Sequence, residues 1–99
     1  MANDVEFGLF IWDQEKETLN IERHGLDFVE ASRVFEDPDR IFIEDLGHSD
    51  QEDRFYCIGR LGPLVITVRF TPRDGLIRII GAGSWRKWRK FFEEETRSK

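Results

Sequence analysis

The chain has 99 residues, of which 39% are hydrophobic, including nine phenylalanines and three tryptophans, and this fits a single domain spanning residues 1–99. It carries 35% charged residues and a net charge of −5, but its apolar content is too high for a disordered chain. No run approaches the roughly 20 apolar residues of a membrane span, and the N-terminus lacks a secretory signal, which indicates a cytoplasmic protein with no membrane partner.

The N-terminal part is predicted to form one strand and two helices. Residues 5–12 alternate in polarity and end in aromatic residues, which favours a strand. Asp13 is a suitable N-cap for a first helix, which should end at Gly25. Asp27 and Glu30 have the spacing of a capping box at the start of a second helix, and the proline of "EDPDR" should end that helix.

The rest of the chain is predicted to form four successive strands and a final helix. The strands are "RIFIEDL", "RFYCIGRL", "PLVITVRF" and "LIRII", with a polar loop "GHSDQED" and a turn "TPRDG" between them. Gly81 and Gly83 should then form a flexible connection to the helix, with Ser84 as its N-cap. We therefore predict an α+β fold, with a small antiparallel sheet of four to five strands and its helices on one side: two N-terminal and one C-terminal.

The first helix has a polar stripe where a surface helix normally has an apolar one. Lys16, Asn20 and His24 are spaced i, i+4 and i+8, so they share one face. The stripe either carries binding or catalytic chemistry, or forms buried polar contacts that fix the helix to the strands. We favour the structural interpretation for Asn20 and leave both open for the other two residues.

Charge is unevenly distributed along the chain. Residues 1–53 carry sixteen acidic and four basic residues, whereas residues 54–92 carry nine basic residues and one acidic residue. The two parts could neutralise each other within the fold, but so dense a basic segment with aromatic residues favours binding of a polyanion. The candidate phosphate-binding residues are Arg69, Arg73, Arg86, Lys87, Arg89 and Lys90.

Metal and cofactor sites find little support in the sequence. His24 and His48 are the only histidines, there is one cysteine, and no metal-binding motif occurs, so we expect neither a metal nor a cofactor. "GAGS" lacks the lysine spacing of a phosphate-binding loop. Glu52 and Arg54 would share one face of a strand, where they could serve phosphoryl transfer as a base and a charge stabiliser, or form a structural ion pair.

The segment "FIWDQEKETLNIERHGLDFVEA" resembles the signature of the BrnT toxins, which runs F-x-W-D-x-x-K-x-x-x-N-x-x-K-H-G-x-x-F-x-E-A. The similarity continues in "VFEDP", in an E-x-R-x-x-x-x-G element and in the "RII" strand. In the signature itself, the matching residues are Phe10, Trp12, Asp13, Lys16, Asn20, His24, Gly25, Phe28, Glu30 and Ala31.

The resemblance implies a type II toxin with a RelE-like fold that cleaves RNA without a metal and inhibits translation. It also implies neutralisation by a BrnA-like antitoxin, through which alone the toxin would be linked to DNA. We predict that His24 or Glu52 transfers protons, while Lys16, Arg54 and Arg78 stabilise the phosphate.

The chain departs from the family pattern after the "RII" strand. Many family members continue with Ser-Ala-Arg, whereas this chain has Gly81, Ala82 and Gly83. The basic residues of the last helix are candidates to supply the missing charge. The alternative is a non-catalytic module that binds RNA or an antitoxin and has lost cleavage activity.

Overall fold

The computed structural model describes residues 3–48 and 52–97, and within them it has a six-stranded sheet and three α-helices. The strand order is β1-β2-β6-β5-β4-β3, and β2 runs parallel to β6 whereas the other pairs are antiparallel. The α+β class is confirmed, but the sheet is mixed and larger than predicted. The elements are β1 Asp4–Phe7, β2 Phe10–Asp13, α1 Gln14–His24, α2 Phe28–Arg33, β3 Ile41–Glu44, β4 Phe55–Leu61, β5 Leu64–Arg73, β6 Leu76–Gly83 and α3 Arg86–Arg97.

The additional strand comes from the N-terminal segment, which was predicted to be one strand. Gly8 has φ of 60°, which a two-residue hairpin turn accepts at its first central position. The turn divides the segment into β1 and β2, and Ile11 of β2 then lies opposite Arg78 of β6. This parallel pairing makes the sheet mixed.

The predicted ends of α1 and the predicted start of α2 are confirmed, whereas α2 ends at Arg33, before the proline segment, and a 3₁₀ turn Val34–Glu36 follows it. Oδ1 of Asp13 accepts a hydrogen bond from the backbone N–H of Glu15 at 2.9 Å, and Gly25 ends α1 in the left-handed conformation with φ of 67°. Asp27 and Glu30 form the expected capping box. These caps set where α1 begins and ends and where α2 begins.

The segment before the last helix differs from the prediction. Strand β6 continues through Gly81 and Gly83, which lie opposite Arg69 and Thr67 of β5, so these glycines belong to the sheet and not to a flexible connection. Helix α3 begins after Trp85, whose carbonyl oxygen accepts a hydrogen bond from the backbone N–H of Arg89 at 3.0 Å. Trp85 therefore holds the N-cap position expected for Ser84.

Two hydrophobic clusters lie on opposite faces of the sheet. Cys57 belongs to the cluster with α2, and its neighbour Ile58 belongs to the cluster with Phe92 of α3. Adjacent residues of a strand project to opposite faces, so the helices cover both faces and not one side as predicted. Trp12 is 1% exposed in the first cluster and packs edge-to-face on Phe28.

Helix α1 covers an edge of β6 that β2 leaves open. Strand β2 pairs with β6 only at Ile77 and Arg78. Further along that strand, Oδ1 of Asn20 accepts from the backbone N–H of Ala82 at 3.0 Å, and its Nδ2 donates to the carbonyl of Leu26 at 2.9 Å. One side chain therefore holds the helix against the sheet.

The remaining connections include two 3₁₀ turns, Val34–Glu36 and Leu46–His48. The first approaches β4 closely, because a Cβ at Gly59 would lie 3.1 Å from the carbonyl oxygen of Val34. The second belongs to the predicted polar loop, of which residues 49–51 lie outside the described residues. No helix within the described residues is long and apolar enough to cross a membrane.

Candidate functional site

A pocket of about 210 Å³ lies between α1 and the middle of the sheet. We call it the cationic pocket. Its helical residues are spaced i, i+3, i+4, i+7 and i+8, so they form one face of α1. The residues lining it are Lys16, Leu19, Asn20, Arg23, His24, Arg69 and Ile80.

The polar stripe of α1 has two kinds of residue. Asn20 is 7% exposed and its side chain bonds two backbone groups, which confirms the structural interpretation for this residue. Lys16 and His24 are exposed and lie on the wall of the cationic pocket. The helix thus uses one buried amide to present a lysine and an imidazole to the pocket.

Arg69 reaches the cationic pocket across a glycine. It lies opposite Gly81 in the β5–β6 register, and a Cβ at Gly81 would be 2.7 Å from its Nη2. Any larger residue at this position would therefore displace the guanidinium. A register irregularity follows between Arg69 and Phe70, leaving Ile80 as an extra residue of β6 that lines the pocket.

A second pocket of about 340 Å³ adjoins the first, and Arg69 lines both. We call it the aromatic pocket. The Trp85 ring contacts the His24 ring edge-on, with centroids 5.2 Å apart, and so connects the two pockets. The residues lining the aromatic pocket are Tyr56, Thr67, Arg69, Trp85, Lys87 and Trp88.

Tyr56 and Lys87 complete the polar part of the aromatic pocket. Tyr56 donates a hydrogen bond to Oδ2 of Asp45 at 3.2 Å, and burial together with that carboxylate raises the pKa of its hydroxyl. It is therefore a neutral donor near pH 7. The ammonium of Lys87 lies 4.9 Å from the centroid of the Trp88 ring, a cation–π contact.

Glu52 belongs to a different cluster, at the far end of β5. Its Oε2 lies 2.6 Å from Nη2 of Arg73, and this hydrogen bond lowers the pKa of the carboxyl, with the charges of Arg73 and Arg54 acting in the same direction. Arg78 bonds Oδ1 of Asp4 at 2.9 Å and lowers its pKa in turn. None of these residues lines either pocket.

The basic residues of α3 differ in their position relative to the two pockets. Lys87 lines the aromatic pocket, whereas Arg86, Arg89 and Lys90 are exposed and line neither pocket. The structure therefore gathers three of the predicted candidates, Lys16, His24 and Arg69, in the cationic pocket. The two ion pairs near the end of β5, Glu52–Arg73 and Asp4–Arg78, lie outside this pocket.

Other reactive groups are less suited to chemistry. Within residues 3–48 and 52–97, no group of three or more His, Cys, Asp or Glu side chains is arranged to hold a metal ion. Cys57 is fully buried, and burial raises the pKa of its thiol to about 12, so little thiolate forms near pH 7.

Sequence reasoning missed several residues of the two pockets. The helical spacing that joins Lys16 and His24 also includes Arg23, so this cation was open to prediction from the same stripe. Trp85 precedes the first residue of α3 and is 37% exposed, and its contact with His24 joins residues that are distant in the sequence. Tyr56 and Thr67 gave no signal, because strand pairing alone brings them to the site.

Two comparisons bear on the identity of the chain. No curated protein matches it. A family model described as "Ribonuclease toxin, BrnT, of type II toxin-antitoxin system" matches residues 12–90, a range that contains both pockets. Because the match covers most of the chain, the protein belongs to the BrnT family of ribonuclease toxins of type II toxin–antitoxin systems.

Proposed function

We propose that this chain is an endoribonuclease that cleaves RNA without a metal ion and thereby inhibits translation in the cytoplasm. A BrnA-like antitoxin would neutralise it, and any link to DNA would be made through that antitoxin. Family membership supports the ribonuclease class and the antitoxin. The observation that carries the proposal is the convergence of Lys16, His24 and Arg69 on one pocket.

The reaction is attack by a ribose 2′-hydroxyl on the adjacent phosphate. A base removes the 2′ proton, an O2′–P bond forms, and the P–O5′ bond breaks while an acid protonates the departing 5′ oxygen. The products are a 2′,3′-cyclic phosphate and a 5′-hydroxyl. No redox partner or water is consumed in this step.

We assign proton transfer to His24. An imidazole can accept and donate a proton near neutral pH, and this one lies on an exposed wall of the cationic pocket. The rival candidate, Glu52, is bound to Arg73, which lowers the pKa of its carboxyl and makes it a weaker base. We therefore assign Glu52 to an ion pair that supports the end of β5.

Charge on the phosphate would be stabilised by the cations of the same pocket. Lys16 and Arg23 come from α1, and Arg69 comes from the sheet, so an anion between them meets positive charge from two sides. Arg69 would compensate for the arginine that this chain lacks at Gly83. Its guanidinium comes from the neighbouring strand and lies over Gly81, two residues before Gly83 in β6.

The other basic candidates would contact the RNA backbone outside the reacting phosphate. Arg54, Arg73 and Arg78 cluster at the end of β5, where two carboxylates already offset part of their charge. Arg86, Arg89 and Lys90 lie on the outer surface of α3, where they would attract a polyanion at longer range.

The proposal is tested by incubating the purified protein with RNA in excess EDTA. We expect cleavage to persist and the products to carry 2′,3′-cyclic phosphate and 5′-hydroxyl ends. The matched variants are His24→Ala and Glu22→Ala, since both positions are exposed on α1 but only the first lines the pocket. Activity lost on chelation, or 5′-phosphate products, would contradict the mechanism, and RNA binding without cleavage would indicate the non-catalytic module.

A further inference from the structure

Trp85, which directly precedes α3, differs from the aromatic residues within that helix. Phe92 is 1% exposed in the core, and Trp88 packs against the same cluster, but Trp85 is 37% exposed. Its ring lies over the backbone of β6, because a Cβ at Gly83 would be only 2.8 Å from its Cη2. The absence of a side chain at Gly83 thus gives a large indole ring a fixed place on the sheet while leaving part of it open.

The surroundings of this ring match the needs of a flat heteroaromatic ligand. Trp88 and Tyr56 have ring centroids 5.2 Å apart and form an aromatic wall of the same pocket. Arg69 and Lys87 provide cations at that pocket, and its volume of about 340 Å³ is in the range of small-ligand sites. Aromatic surface beside cations is the composition of sites that bind single-stranded nucleic acid.

We propose that the aromatic pocket binds one unpaired nucleobase of the RNA, stacked on Trp85. This rests on the proposed function, because it takes the phosphate attached to that nucleotide to lie in the cationic pocket. Arg69 lines both pockets and the Trp85 ring touches His24, so a base and its neighbouring phosphate can occupy the two pockets together.

The pocket would distinguish single-stranded from double-stranded RNA more strongly than it would distinguish one base from another. A base must leave its stack in a duplex to lie against a protein ring, whereas a single strand offers its bases freely. Stacking tolerates all four bases because each has a π face. We therefore expect this protein to prefer unpaired RNA and to show only a modest base preference at this subsite.

The test compares the affinities of protein variants for intact and abasic forms of an RNA that cannot be cleaved. A short single-stranded oligonucleotide with 2′-O-methyl groups throughout lacks the attacking hydroxyl, so its affinity is independent of cleavage. A series of the same oligonucleotide, each with one abasic position, removes the bases one at a time. Affinities are measured for the wild type and Trp85→Ala, with Phe42→Ala as control because Phe42 is 51% exposed and lies on the opposite face of the sheet.

We expect Trp85→Ala to weaken binding of the intact oligonucleotide about tenfold. One abasic position should weaken wild-type binding by a similar factor and should have no further effect in Trp85→Ala. Phe42→Ala should bind like the wild type. Equal losses at every abasic position, or losses that add fully to that of Trp85→Ala, would overturn the proposal.

Fluorescence provides a second measurement if Trp85→Ala does not fold. In the Trp88→Phe variant, the tryptophan fluorescence comes only from Trp85 and from the buried Trp12. The intact oligonucleotide should quench emission, and the one with the critical base removed should not. Quenching by both would place the contact elsewhere. Because neither measurement requires cleavage, a failed cleavage assay and a failed base subsite remain distinguishable.

Discussion

Asn20→Ala provides a direct test of how the cationic pocket is built. The amide of Asn20 accepts from the backbone of Ala82 at 3.0 Å and donates to that of Leu26 at 2.9 Å. Both of those residues are buried, so truncation leaves a donor and an acceptor without a partner and out of reach of water. Each such group costs about 1–3 kcal/mol, which gives an expected loss of about 3 kcal/mol for the pair.

A loss of this size is large for a domain of 99 residues. Domains of this length shift in melting temperature by roughly 4–8 °C per kcal/mol, so we expect Asn20→Ala to melt about 12–24 °C lower. The assay is thermal and urea unfolding followed by circular dichroism. Asn20→Asp keeps the acceptor but loses the donor, and it should also be destabilised.

The control for this experiment is Glu22→Ala, an exposed substitution on the same helix. It should change stability by no more than about 0.5 kcal/mol. If Asn20→Ala were as mild as Glu22→Ala, the two hydrogen bonds would not anchor α1, and the account of how Lys16 and His24 are positioned would be refuted.

Three further outcomes follow from the same structure. The proposed inhibition of translation would arrest growth on expression of the wild type, and this arrest should be absent for Lys16→Ala and His24→Ala. Both variants should melt within about 4 °C of the wild type, since both side chains are exposed, and a large fall in melting temperature would instead assign them to structure. Lys87→Gln alone should lower the salt dependence of RNA binding by roughly one unit of slope, and an unchanged slope would remove this lysine from the interface. The pKa of the Glu52 carboxyl is lowered in the folded state, so its ion pair with Arg73 stabilises the fold above the ordinary pKa of 4.5, and this stabilisation is lost as the pH falls through the folded pKa. In urea unfolding, the wild type should therefore be more stable than Glu52→Gln at pH 7, and the difference should disappear in strong acid. A difference that does not change with pH would contradict the ion pair.

Local chemistry determined which parts of the fold were predictable. The ends of α1 and α2 depend on side chains within a few residues, so Asp13, Gly25 and the capping box of Asp27 were predicted correctly. The turn at Gly8 was missed because alternation in polarity continues through a two-residue hairpin. Without that turn, the parallel pairing of β2 could not be foreseen.

The site was less predictable than the fold because its geometry depends on distant pairings. Gly81 and Gly83 have the composition of a flexible connection, yet β5 pairs with both of them. Their lack of side chains matters because Arg69 and Trp85 lie over them, a relation that no sequence spacing reports. The helical stripe of α1 was the part of the site visible in advance, since helical periodicity is local.

The most direct test of the central claim is cleavage of one RNA and of its twin with a single 2′-deoxy nucleotide at the cleaved position. Both are incubated with the wild-type protein in excess EDTA, and the products are separated on a gel. If the 2′-hydroxyl is the nucleophile in a metal-free pocket, the RNA is cut at that position and the twin is left intact there. Cleavage of both substrates at that position, or of neither until a divalent metal is added, would contradict the account.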